Sequence, residues 1–455
     1  MLSIQSCHRL IPRTNHPLYS TTIYNNIYRT QYNKQYLYKI RNSACTASCI
    51  HHSTKPHHTL SATPSIHTRV QQSHHTYIDI NSYYRIIKIC GNESFKFLQG
   101  LCSNDMRLLT DTHNTTNKST SIYTVFLNSK GRILFDSFIT QSIHPSNMSN
   151  TVPTYYIEVN KDNVANALNH FKIFNLRNKL SIELCDNISL YSIICNDSTQ
   201  YNNVLNNVIN NTPDIISAYM DPRFTDNGIR VLISNTTVQQ LPDSTTAPSV
   251  LYNTYRYING IPYSTTELQY NKSLPLECNI DLLHGVSYNK GCYLGQELTN
   301  RTQSHGIIRK RLYPVLLYNY EKYNDKIQLI RDKLYGKQLN SIQSSDTQAQ
   351  YLLYDALTPI KQSLDVYDIP IYSINRIDST QTIIRGCTLL SSNNKIAFAL
   401  LRNEYVINNT KYDLIVTLNN NDKYYVVPYI PQYMTSLITS TSDNTDTSQQ
   451  INNDV

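Results

Sequence analysis

One short stretch gathers residue types that do chemistry: Lys290-Gly291-Cys292-Tyr293-Leu294-Gly295-Gln296-Glu297. A thiolate is a strong nucleophile and a soft metal ligand, and it forms readily only where the surroundings lower the thiol pKa. Lys290 stands two residues before Cys292. Residues 293–300 read as the start of a helix, whose free N–H groups and dipole would face the sulfur. Both effects favour the thiolate. Gly291 and Gly295 permit close backbone approach or unusual dihedrals. Glu297 and Arg301 are four apart and can pair on one helix face. Cys292 can therefore be a metal or cluster ligand, a nucleophile or a redox site. It can equally be a small buried side chain packed in a glycine-shaped turn. One cysteine cannot hold an iron–sulfur cluster alone, so a second copy, a small thiol or a partner's cysteines would have to complete the coordination.

Other reactive residue types are scattered. The 10 cysteines include no C-x-x-C pair, which argues against an internally complete zinc or cluster site. His284 and His305 flank the cysteine block but each stands alone. Arg309-Lys310-Arg311 is the strongest basic cluster outside the N-terminal region. It suits an anion, an acidic partner or simply a solvated strand end. Tyr255-Arg256, followed by Gly260-Ile261-Pro262, reads as the end of a helix.

The elements that would position these residues change character along the chain. Residues 77–90 read as mostly strand and 93–101 as a short helix. Residues 123–127 and 132–140 form a hairpin around Asn128-Ser129-Lys130-Gly131, where Gly131 can take a positive φ. Strands are expected at 155–159, 180–184, 190–195 and 229–234, and helices at 162–171 and 250–259. Residues 201–213 read as a loop-prone insertion, with Val204, Leu205 and Val208 at helical spacing. After Arg311 the pattern turns to short strands with polar turns: 312–317, a weak 327–330, 371–374, 382–385, 396–401, 412–418 and 424–429. That spacing suggests a small β-barrel or sandwich.

The 455 residues suffice for two or more domains, with 40% hydrophobic and 16% charged residues. No apolar run is long enough for a transmembrane helix. The net charge of +8 sits in the N-terminal region. No Asp or Glu precedes Asp79, whereas 8 of the 40 Lys and Arg do, leaving 32 basic against 32 acidic residues in the remainder. A neutral body lacks the basic face that nucleic-acid binding requires. The acid-free, Ser/Thr-rich leader matches an organelle transit segment. Four regions are expected: a leader 1–76, an α+β region 77–311, a mainly-β region 312–434 and a disordered tail 435–455.

The block from Lys290 to Glu297 resembles the K-G-C-[FY]-x-G-Q-E signature of the YgfZ-like branch of the glycine-cleavage T-protein superfamily. That branch includes the mitochondrial iron–sulfur assembly factors. Flanking residues agree: Pro275-Leu276-Glu277 with Asn279 and Asp281, Gly285-Val286-Ser287, and Gly306-Ile307-Ile308-Arg309-Lys310-Arg311-Leu312. Weaker blocks extend the resemblance over about residues 77–434. They are Phe97-Leu98-Gln99-Gly100-Leu101 with Asn104-Asp105, Phe126-Leu127-Asn128, Gly131-Arg132-Ile133-Leu134-Phe135-Asp136, Asp221-Pro222-Arg223 with Gly228 and Arg230, and Ala397-Phe398-Ala399-Leu400-Leu401-Arg402.

The resemblance implies an α+β fold, a ring of ferredoxin-like subdomains around a cavity, closed by a C-terminal β-barrel-like domain. It implies a tetrahydrofolate pocket, with Lys290, Gly291, Tyr293, Gly295, Gln296, Glu297, Asn104, Asp136 and Arg256 at matching positions. It also implies Cys292 as ligand to a transient iron–sulfur cluster shared with a partner. The expected role is non-enzymatic and mitochondrial, in the matrix. The partners would be A-type scaffold proteins and [4Fe–4S] clients such as aconitase-like proteins and lipoyl synthase. The alternative is a folate-dependent aminomethyl or one-carbon transferase. Against it, true aminomethyltransferases carry two adjacent acids after the hairpin, where this chain has Phe135-Asp136.

Overall fold

A computed structural model describes residues 75–110, 120–141, 152–177, 179–195, 201–212, 214–224, 228–234, 249–334, 368–393, 395–407, 411–419, 421–435 and 437. The expected leader up to residue 74 and the expected tail beyond residue 437 lie outside the described residues. Strand β1 (His75–Asp79) begins inside the span expected for the leader.

Residues 77–90 do not form one strand. β1 and β2 (Tyr84–Cys90) belong to two different sheets. A tight turn separates them: the Asp79 carboxylate accepts the Asn81 N–H at 2.8 Å, and Tyr83 and Tyr84 N–H both donate to the Ile80 carbonyl. The Asp-x-Asn spacing is an Asx-turn signal outweighed by the surrounding β-branched residues. The Asn81 side chain then accepts the Leu190 N–H, tying the turn to the second sheet.

Helix α1 (Ser94–Leu101) follows β2, and the hairpin of β3 (Ser121–Leu127) and β4 (Ile133–Gln141) turns at Gly131, φ +73°. β5 (Thr154–Asn160), helix α2 (Val164–Phe174) and β6 (Ser181–Cys185) complete an antiparallel sheet of order β3-β4-β5-β2-β6. Phe97, Leu98 and Leu101 of α1, with Ala167 and Phe171 of α2, pack on one face of it against Phe126, Phe135 and Ile157. β7 (Ile188–Cys195), helix α3 (Tyr201–Asn211), β8 (Ile215–Met220) and β9 (Gly228–Ser234) form with β1 the sheet β1-β7-β9-β8. The Asn-rich segment 201–211 is helical because Val204 and Val208, one turn apart, bury together against Ile193, Ile229 and Val231. Tyr123, Val125 and Phe138 of the first sheet meet Leu190, Leu232 and Tyr219 of the second in a shared core.

Helix α4 (Ser249–Ile258) and helix α5 (Gln296–His305) lead to a closed antiparallel barrel. Its strands are β10 (Lys310–Asn319), β11 (Ile369–Asn375), β12 (Gln381–Asn393), β13 (Ile396–Arg402), β14 (Tyr412–Thr417) and β15 (Lys423–Pro428), in the order β10-β13-β12-β11-β14-β15. Val315, Leu317, Leu389, Ala397, Ala399, Leu414, Val416 and Val426 pack within its core. Val315 and Leu317, Ala397 and Ala399, and Leu414 and Val416 are each two apart, so each pair shares one face of its strand. The weak strand expected at 327–330 is instead helix α6 (Ile327–Leu334). Ile327, Ile330 and Leu334 are all buried, and their spacing of three and four is helical.

The architecture is therefore α+β with a closed six-stranded barrel following the two sheets. Among the described residues no helix is long and apolar enough to cross a membrane.

Candidate functional site

Cys292 lies in an irregular segment, and it is the one exposed residue among the seven described cysteines. The others are buried or half-buried. Helix α5 begins at Gln296, three residues later than expected, because Gly295 adopts the left-handed conformation at φ +79° and ends the irregular segment. The sulfur therefore does not sit at a helix N-terminus. A Cβ at Gly295 would collide with the Asn128 carbonyl oxygen and come within 2.9 Å of Leu127 Cβ, so the hairpin turn packs directly on this glycine. Gln296 turns back, its side-chain oxygen accepting the Tyr293 N–H at 3.2 Å. Tyr293 is buried, whereas Gly291, Cys292 and Glu297 are exposed. Glu297 and Arg301 make no ion pair among the described residues.

Lys290 does not serve the sulfur two residues along. Its ammonium donates to the carbonyls of Gln99 (2.8 Å), Cys102 (2.6 Å) and Asn104 (2.7 Å). An ammonium has three donors, and these three acceptors engage all of them. Burial pulls the Lys290 pKa down, with Cys102 and Asp105 acting in the opposite direction. Asn104 is likewise engaged by the fold. Its amide donates to the carbonyls of Tyr123 (2.7 Å) and His284 (2.8 Å), and its oxygen accepts the Asp105 N–H at 2.8 Å.

The basic triplet also divides. Arg311 is buried and forks onto Asp281 at 3.0 and 2.9 Å, Lys310 lies 3.4 Å from Glu277, and Arg309 remains exposed. No three-charge patch faces solvent. Arg256 is buried as well. It donates to Glu267 at 3.0 Å and to the Ile261 carbonyl at 3.3 Å. Glu267 also accepts from Tyr257 and from Ser391 of the barrel, so this network joins α4 to β12.

Asp136 occupies a second, buried setting in β4, where Tyr123 Oη donates to it at 3.2 Å. Burial pushes its carboxyl pKa up, beyond what the nearby Arg223 guanidinium offsets. Around it stands a charged group to which the resemblance attaches no role. Arg230 forks onto Glu158 at 3.0 and 2.5 Å and reaches Asp221 at 3.3 Å. Arg223 forks onto Asp221 at 2.9 and 2.7 Å. Both guanidinium groups donate to Tyr252 Oη, at 3.2 and 3.0 Å, and Tyr219 donates to Glu158. Burial raises the Asp221 pKa, yet the Arg223 guanidinium outweighs it and holds the carboxyl below its usual range. Arg223 Nη1 is buried without a hydrogen-bond partner. Its guanidinium lies 5.0 Å from the Tyr123 ring and 4.6 Å from that of Phe138. A usable signal was present: Glu158 and Arg230 are charges inside otherwise apolar strands, a pattern that occurs when the two pair.

No protein-family model matches the chain. Among curated proteins it is 36% identical, over 252 residues, to the iron–sulfur cluster assembly factor IBA57 homolog, mitochondrial, of Dictyostelium discoideum, covering 51% of this chain and 60% of that protein. Proteins of the same name from Coccidioides immitis (34% over 246 residues; 52% of this chain, 56% of that one) and Neurospora crassa (33% over 242 residues; 51% and 52%) are also similar. The chain thus spans little more than half the length of these relatives. Among solved structures, the crystal structure of glycine cleavage system aminomethyltransferase T from Bartonella henselae superposes with a TM-score of 0.52 at 11% identity, covering 80% of this chain and 87% of that one. At that identity the likeness is one of fold: two antiparallel sheets with helices, followed by a closed barrel, are the α+β architecture of the glycine-cleavage T-protein.

Proposed function

We propose that this chain is an accessory factor for iron–sulfur cluster assembly in mitochondria, and that Cys292 is its working thiol. The observation that carries the reading is the isolation of Cys292: of the described cysteines it alone is exposed, within the block that resembles the assembly-factor signature. Similarity to three proteins bearing the name of mitochondrial cluster assembly factors supports the role and the compartment. Among the described residues no group of three or more His, Cys, Asp or Glu side chains could hold a metal ion. One thiolate supplies one ligand of a [4Fe–4S] cluster, so the cluster is cargo shared with a partner's cysteines rather than a resident group. A-type scaffold proteins fit as donors, and aconitase-like and lipoyl-synthase-like proteins as clients.

Tetrahydrofolate belongs to the same proposal as a bound ligand. The orphaned Arg223 Nη1 fits an acceptor atom of such a ligand, and the buried Asp136 carboxyl, to which Tyr123 donates, fits a ring nitrogen or amide. When bound, folate supplies a one-carbon carrier. Asp136 and Arg223 would orient it, and the surrounding aromatic rings would keep water from it.

The test is [4Fe–4S] transfer to apo-aconitase with A-type scaffold proteins present, comparing this chain with its Cys292→Ala variant. Aconitase activity that rises with the chain and not with the variant supports the reading. Equal activity with both removes Cys292 from it. Tetrahydrofolate titration monitored by calorimetry, with Asp136→Asn as the comparison, tests the ligand separately.

A further inference from the structure

The segment 284–294 is laced to the end of α1 and the residues that follow it. Ser103 Oγ donates to the Gly285 carbonyl at 2.6 Å, and the Ser287 N–H donates back to Ser103 at 3.0 Å. Arg107 donates to the Asn289 carbonyl at 3.2 Å. The last two ties straddle the cysteine: Lys290 Nζ to Gln99, Cys102 and Asn104 carbonyls before it, and the Leu294 N–H to the Gly100 carbonyl at 3.0 Å after it.

Gln99 and Gly100 are in the last turn of α1, where carbonyls have no partner within the helix. A cation there also meets the negative end of the helix dipole. Between the two ties, Gly291 has open space where a Cβ would stand, and Cys292 is exposed. The loop is thus a short arch fixed at both feet on the same helix end, with the sulfur near its crown.

We infer that Lys290 is a positioning residue: its ammonium clasps the end of α1 so that Cys292 is presented at a fixed place on the surface. This rests on the reading of Cys292 as the working thiol and says how that thiol is held. It differs from two other roles for a lysine in such a block. A ligand-binding lysine keeps a donor for the ligand, and all three donors of Lys290 are engaged. A thiol-activating lysine points at the sulfur, and this one points into the body. Positioning matters for a shared cluster, because a bridging thiolate has to meet an iron already held in a partner's geometry. Small misplacements of a reacting group are costly in such steps.

The experiment attaches a nitroxide spin label to Cys292 of the full chain, with the other accessible cysteines replaced by serine, and compares Lys290→Met with the parent. The clasp predicts a sharper, more mobile electron paramagnetic resonance spectrum for Lys290→Met. An unchanged spectrum overturns it. In unlabelled protein, the rate of Cys292 alkylation by iodoacetamide is followed against pH. The clasp predicts the same apparent thiol pKa in both proteins, since a small reagent needs no fixed geometry. A clear upward displacement in Lys290→Met overturns it in favour of electrostatic activation.

Cluster transfer to apo-aconitase is expected to fall about tenfold or more in Lys290→Met, since a misplacement of about 1 Å can cost about 100-fold. A variant of matched thermal stability with its substitution in the sheet core, Ile139→Val, is expected to transfer normally. Equal losses in both overturn positioning in favour of general destabilisation. If Lys290→Met does not fold, Lys290→Gln gives the same label readout, with intermediate mobility expected and parent-like rigidity overturning the clasp. Should Cys292→Ala transfer clusters normally, the functional reading fails while the label spectrum still decides the clasp.

Discussion

The buried charges around Arg230 and the arch around Cys292 are held in opposite ways. In the first, side chains hold side chains: Glu158, Asp221, Arg223, Arg230, Tyr219 and Tyr252 interlock inside a core where each charge needs the next. In the second, each tie has a backbone group on at least one side, and the two that flank Cys292 end on backbone carbonyls of α1 and the residues after it, leaving the Cys292 side chain exposed. An interlocked cluster is sensitive to any change of residue. An arch tied through its backbone can change its crown freely. The difference teaches that paired charge inside the core marks what holds this molecule together, whereas the arch places its hydrogen bonds on either side of Cys292 and leaves that one thiol exposed.

The largest effect separating the two regions is expected at Glu158. Glu158→Ala leaves Arg230 buried with a weakened set of partners, and removing one member of a buried pair costs about 3–5 kcal/mol. Urea denaturation monitored by circular dichroism would read this as a lower midpoint with little change in slope. Replacing both members, Glu158→Leu with Arg230→Met, is expected to recover part of the loss, because apolar side chains of similar volume need no partner. No recovery would mean that Asp221, Arg223 and Tyr252 depend on Arg230 more than on the pair itself.

Next in size is His170, which belongs to the interior but has no interlocked partner. It is buried among the rings of Phe126, Phe135, Phe171 and Phe174, and its Nε2 has no hydrogen bond. Burial pushes its pKa down from 6.5 to about 4. Above pH 6.5 the imidazole is neutral in both folded and unfolded chains, and stability is undiminished. Between about 6.5 and 4 the unfolded chain binds a proton that the folded chain refuses, so stability falls with falling pH, by about 3 kcal/mol across the window. His170→Phe should flatten that part of the pH–stability curve. A slope that persists would place the titrating group elsewhere.

Much of this was legible in the chain. The hairpin follows from the turn residues Asn128-Ser129-Lys130-Gly131 between two apolar runs, the barrel strands from short apolar runs separated by polar turns, and the cysteine block from the density of reactive types. What was not legible has physical causes. Residues 79–81 turn the chain between two sheets, a tertiary outcome that two β-branched runs in sequence do not reveal. Ile327 and Ile330 are strand-forming residue types, yet with Leu334 they stand at helical spacing, and the spacing prevailed. Nearness in sequence suggests that Lys290 acts on Cys292. A lysine's reach of several ångströms lets it act on whatever backbone lies beside it, here the end of a helix nearly two hundred residues earlier. Arg309-Lys310-Arg311 suggests one patch when seen as sequence. In a strand, successive side chains point to opposite faces, and the buried one found Asp281.

Within the arch itself the two glycines sharpen the comparison. Gly295→Ala places a methyl against the Asn128 carbonyl at φ +79° and is expected to cost about 1–3 kcal/mol. Gly291→Ala meets open space and should stay within about 0.5 kcal/mol, the usual range for a surface change. Paired melting curves would show whether the mount is as stiff at its foot and as free at its crown as the structure has it.

The smallest expected effect on stability is at Cys292, and it is the most informative. The side chain is exposed, so Cys292→Ala removes little packing and should change unfolding free energy by no more than about 0.5 kcal/mol. The same substitution removes the only exposed thiol among the described cysteines, so cluster delivery to apo-aconitase should drop to the level seen without the chain. Glu158→Ala is expected to do the reverse when assayed well below its melting temperature, losing stability while the folded fraction still delivers clusters. If instead Cys292→Ala destabilises the chain as much as it impairs delivery, the thiol is part of the mount. The division between what holds the molecule and what acts on others would then run elsewhere in the arch.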